Sequence, residues 1–76
     1  MTKREIDTIC AYYELKSAIA TELEIAQELK RVFKSIDEYD QVTFVNGKIQ
    51  AFNNIQAMID RMINKIRGIE NEDKNY

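Results

Sequence analysis

The chain has no histidine, no proline and no tryptophan, and only one cysteine and two glycines among its 76 residues. Each absence removes a class of protein. Without histidine, the usual general acid–base and the commonest zinc ligand are both missing. A lone Cys10 forbids an internal disulfide and leaves no thiol pair for a metal. No glycine-rich phosphate loop and no Glu-x-x-His ligand pair is present. No catalytic residue, metal or cofactor is therefore expected. No apolar run approaches the roughly 18 residues of a membrane span, and the opening "MTKREID" has no signal-peptide core. The expected setting is the cytoplasm. Charge of one sign is lacking too. The 11 basic and 13 acidic residues leave a net charge of −2, which supplies no bulk attraction to nucleic acid or to a membrane.

With so few helix breakers and so much Glu, Lys, Ile and Ala, the chain reads as all-α. Thr2 and Glu5 form a capping-box pair at its start. From there a first helix is expected over 2–36. Its apolar seam is read as Tyr12, Leu15, Ile19, Ala26, Leu29, Phe33 and Ile36, with Glu22 as the one polar entry, expected to reach solvent. Thr21 and Glu24 repeat the capping pattern, and a break there would give a three-helix bundle instead. A second helix carries Phe52, Ile55, Ile59, Met62 and Ile66. Gly68 followed by Ile69 reads as its Schellman stop. Between the two, 42–51 has two readings. Asn46-Gly47 suits a β-hairpin, whereas Ile49 and Phe52 continue the helical spacing back toward Asp40 or Asn46, the reading adopted here.

The expected architecture is one helical domain over 1–69 and a flexible tail over 70–76. It is a hairpin whose first helix, about 50 Å long, outruns a second helix of about 33 Å. The projecting end would then expose "IDTICAYY", which is apolar on two sides. Chains of this size bury only about 60% of their unfolded surface and commonly gain stability by association. Ile6, Ile9, Cys10, Tyr12 and Tyr13 are therefore the candidate interface. It would serve a homodimer forming a four-helix bundle, or another protein. Tyr39 and Phe44 near the turn form a second candidate contact, since aromatic side chains anchor many interfaces. Lys30, Arg31, Lys34 and Lys48 are the only candidate phosphate contacts, although the first three also suit a helix C-terminus.

Three resemblances bear on function. "REID" followed by "ELEIAQELK" resembles the first helix of AroQ-type chorismate mutases. Thr21 and Glu22 stand where that family needs an arginine, and no Arg-Glu pair follows, so its activity is not expected here. A small acidic helical hairpin that dimerises is similar in architecture to the plasmid-copy-number regulator Rop, which implies an RNA-binding alternative. "VNGKIQAFNNIQAMIDRMI" resembles small helical accessory proteins of phages and mobile elements of Gram-positive bacteria. That resemblance implies a non-enzymatic module, in the host cytoplasm if phage-encoded, that self-associates and binds or inhibits a partner protein.

Overall fold

Two helices account for nearly all of the computed structural model, which describes residues 1–74, with side chains described as far as Gly68. Helix α1 spans Lys3–Ser35 and helix α2 spans Tyr39–Lys74. They pack as an antiparallel hairpin, with no strand among the described residues. The β-hairpin alternative at 42–51 and the three-helix alternative are both excluded. Of the tail expected over 70–76, the backbone through Lys74 belongs to α2, and its side chains lie outside the described residues.

The start of α1 follows from its first residues. The Thr2 hydroxyl accepts from the Glu5 amide at 3.2 Å, and the Thr2 amide donates to the Glu5 carboxylate at 2.9 Å. Two amide groups that the helix itself leaves unpaired are thereby satisfied. No such pause occurs at Thr21, whose hydroxyl donates to the Ser17 carbonyl within the helix.

The turn lies elsewhere than at a glycine. The Glu38 amide donates to Phe33 O at 2.9 Å and the Asp37 amide to Lys34 O at 3.2 Å, the bond pair of a Schellman motif. Asp37 takes the left-handed position, φ 59°, which a short polar side chain tolerates better than a branched one. Gly47 and Gly68, by contrast, both lie within α2 without positive φ. The stop expected at Gly68 does not occur. An isolated glycine lowers helix stability by about 1 kcal/mol, too little to end a helix whose neighbours are packed.

Two expectations fall with that stop. Helix α2 is the longer of the two, at 36 residues against 33. The N-terminal segment therefore does not overhang. Ile9 is 8% exposed and joins Ile19, Ile59 and Ile63 in a cluster against which Tyr12, Phe52 and Ile66 pack. Moving the turn to 36–38 also changes the register. Lys16 reaches Asp60 at 2.6 Å, about two and a half turns from Ile69, its neighbour in the expected register.

Candidate interaction surface

Burial in α1 recurs at Ile9, Tyr12, Lys16, Ile19, Leu23, Ala26, Lys30 and Phe33. In α2 it recurs at Val42, Val45, Ile49, Phe52, Gln56, Ile59, Ile63 and Ile66. Both series alternate steps of three and four without a break, so the hairpin is a short antiparallel coiled coil. The observed seam shares Tyr12, Ile19, Ala26 and Phe33 with the expected one. Lys16, Leu23 and Lys30 replace Leu15, Glu22 and Leu29. In α2, Gln56 and Ile63 replace Ile55 and Met62. Glu22 is exposed, as expected, and the polar seam positions are Lys16, Lys30 and Gln56. Such polar entries fix register at some cost in stability.

The displaced apolar residues share one location. A residue immediately before a seam position is turned about 100° from it. Because the helices run in opposite directions, the preceding residues of both point to the same side of the hairpin. The following residues point to the other side. One contact bears this out: Tyr13 follows Tyr12, Arg67 follows Ile66, and the Arg67 guanidinium donates to the Tyr13 hydroxyl at 3.3 Å.

On the preceding side, α1 presents Leu15, Ile25, Leu29 and Val32, with Ile36 at its C-cap, and α2 presents Phe44, Ile55, Met58 and Met62. All are between 39% and 65% exposed. On the following side the same steps read Ser17, Ala20, Glu24, Gln27, Arg31 and Lys34 in α1, and Thr43, Asn46, Gln50, Asn53, Ala57 and Asp60 in α2. One broad face is apolar and the other is polar.

The shape leaves both faces open. The Cα extents are 53 × 25 × 13 Å, a single layer of helix. The chain exposes 6024 Å², whereas a compact monomer of 8.9 kDa exposes about 4,800 Å² on the usual mass scaling. Stable domains stack two layers over a core. Here the second layer is missing, and the face that would receive it is apolar.

The residues expected to form an interface are divided by this geometry. Ile9 and Tyr12 belong to the seam. Ile6, Cys10 and Tyr13 line a shallow cavity of about 200 Å³ at the open end of the hairpin, with Met1 and Arg67. That cavity lies on the polar side. Phe44 stands on the apolar face with the Lys48 ammonium 5.7 Å from its ring centre. Tyr39 donates to the Asp37 carboxylate at 3.0 Å and stays beside the turn. The four candidate phosphate contacts diverge: Lys30 is in the seam, Arg31 and Lys34 are on the polar side, and Lys48 is on the apolar side. Arg31 is also paired with Glu28.

Among the described residues no group of acidic, cysteine or histidine side chains is placed to hold a metal, and no helix is long and apolar enough to cross a membrane. Fold and surface together define a two-helix antiparallel coiled coil with one uncovered apolar face. Comparison with known proteins finds no match, whether to a family model, a curated protein or a solved structure.

Proposed function

We propose that this protein is a non-enzymatic interaction module that self-associates through its apolar broad face. As a dimer it would engage a partner protein with the surfaces left outside. The observation that carries this reading is the stripe of half-exposed aliphatic, Met and Phe side chains on one side of a one-layer fold. Nine large apolar side chains on that side are 39–65% exposed, and they run along most of the length of the hairpin. Scattered exposed apolar residues are ordinary, but a contiguous apolar stripe marks an association site. The resemblance to small phage and mobile-element accessory proteins fits a role of this kind. Divergence of Lys30, Arg31, Lys34 and Lys48 over three sides of the hairpin weighs against the Rop-like alternative, since phosphate binding gains from cations on one surface.

The experiment is a solution mass by light scattering for three chains. Wild type is expected at twice 8.9 kDa. Ile25→Glu, on the apolar face, is expected as a helical monomer, because a carboxylate in a dry interface is left without a partner. Ala57→Glu, on the polar face, is expected to remain dimeric. A wild-type monomer at high concentration, or a dimer lost equally in both variants, overturns the proposal.

A further inference from the structure

Two helical hairpins stacked face to face can be related by a two-fold axis parallel to the helices or by one perpendicular to them. The first puts both turns at the same end and sets each α1 against its partner's α2. The second puts the turns at opposite ends and sets α1 against α1. Building on the self-association proposed above, we infer that this chain takes a second copy in the first arrangement, with both turns at one end.

The charge pattern around the apolar face selects it. Between residues 11 and 35, the charges α1 carries on or beside that side are acids: Glu22 within the stripe, and Glu14 and Glu28 on the outer edge, where Glu28 also pairs with Arg31. Between residues 44 and 68, α2 carries only cations there: Lys48 and Lys65 at stripe positions and Arg61 along the rim. The Lys16–Asp60 contact fixes which residues share a level along the hairpin. By that register Glu14 is within one residue of the level of Arg61, and Glu28 is level with Lys48.

With the turns at the same end, the partner's α2 lies across from α1 at unchanged level, so both acid–base pairs meet. Side-chain sizes also alternate across the contact: Ala18 faces the level of Met58, and Ile25 faces that of Ala51. With the turns at opposite ends, and the two apolar stripes centred on each other near Ile25, Glu22 lies level with a second copy's Glu28, and the cations of α2 have no acid of α1 across from them. Rim charges add little affinity, but they decide between orientations when one brings two acid–base pairs together and the other sets Glu22 against Glu28 at both of its symmetric positions.

The test uses the full chain with Cys10→Ser and Asp7→Cys, spin-labelled at residue 7 near the open end. Light scattering gives the mass, and double electron–electron resonance gives the distance between labels. With the turns together the labels stay within about 35 Å, set by the width of a four-helix bundle. With the turns apart they separate by about 55 Å, at 1.5 Å per residue from a contact centred near Ile25. A dimer with the long distance overturns the orientation and leaves self-association standing. A monomer overturns both. An independent readout is charge reversal. Glu14→Lys with Glu28→Lys is expected to weaken the dimer at least tenfold, and adding Arg61→Glu with Lys48→Glu to restore it. Unchanged or raised affinity in the first variant overturns the inference, because with the turns apart Glu28→Lys would set a lysine level with the second copy's Glu22.

Discussion

The two broad faces of the hairpin lie one residue of helical phase to either side of the seam. The positions after each seam residue form a finished surface. They are mostly polar, and both contacts that cross between the helices, Tyr13 with Arg67 and Lys16 with Asp60, end on that side. The positions before each seam residue are apolar, and no hydrogen bond or ion pair crosses between the helices there among the described residues. A monomer would gain solubility from polar groups on both faces. One face instead stays apolar along most of its length, the feature on which the proposed self-association rests.

The largest effect that tests this difference comes from two adjacent residues of α2. Ile63 is 3% exposed in the seam and Met62 is 43% exposed on the apolar face. Ile63→Ala is expected to lower stability by about 2–5 kcal/mol, the usual range for emptying a core site. In a chain this small that is enough to unfold it. Met62→Ala should leave the unfolding midpoint nearly unchanged at high dilution and lower it only where the wild-type midpoint rises with protein concentration. Denaturant melts over a hundredfold concentration range decide the matter. Equal losses in both variants at every concentration would make the faces energetically alike.

Gly47 lies at the outer edge of α2, and a Cβ built on it meets nothing within 4 Å. Gly47→Ala is therefore expected to stabilise the chain by about 0.5–1 kcal/mol, by removing backbone freedom from the unfolded state. A type I′ turn at Asn46-Gly47 would require positive φ there, and alanine would then destabilise it. The sign of the change, read from thermal melts, distinguishes helix from turn.

That same dipeptide shows where the sequence is legible and where it is not. The capping box at Thr2 and Glu5 is a local device, readable from two residues, and it is found as expected. Continuity of α1 through 17–21 is readable too, because good helix formers outweigh a repeated Thr-x-x-Glu. The turn is harder to place, because both glycines signal a break that neither makes, while the left-handed residue is Asp37, which carries no comparable signal. The expected seam is one residue out of phase at half its positions. Four of every seven positions in these helices lean apolar, so the centre of the stripe falls between the seam and the uncovered face. Leu15, Leu29, Ile55 and Met62 are drawn into the expected core for that reason. The stripe is wider than the seam of one helix partner, and the residue pattern alone displays that width.

A smaller effect comes from the contact that fastens the polar side. Lys16 and Asp60 are both more than a third exposed, so solvent screens the pair and their coupling is expected at about 0.2–1 kcal/mol. A double-mutant cycle with Lys16→Met and Asp60→Asn measures it. The single variant Lys16→Met should be neutral or stabilising in melts, because it puts an apolar side chain at a seam position. It also loosens the register that the ion pair specifies. A strongly destabilised Lys16→Met would mean that the polar side is held electrostatically and not merely aligned.

The smallest expected effect depends on pH and lies at the start of α1. Glu5 has its pKa held below the usual 4.5, first by the Thr2 backbone amide that donates to it and then by the Thr2 side chain. A carboxyl group whose folded pKa lies below its unfolded value stabilises the fold at pH above the unfolded value. That contribution is lost as pH falls through the folded value. The capping box should therefore add stability at neutral pH and cease to do so under acid. In Thr2→Ala both sources of the shift are weakened, because the hydroxyl is gone and the cap geometry loosens. The variant should be less stable than wild type at pH 7, and the gap should narrow below pH 4.5. A gap that stays constant with pH would locate the effect in the threonine hydroxyl alone and leave the carboxylate without a role in starting the helix.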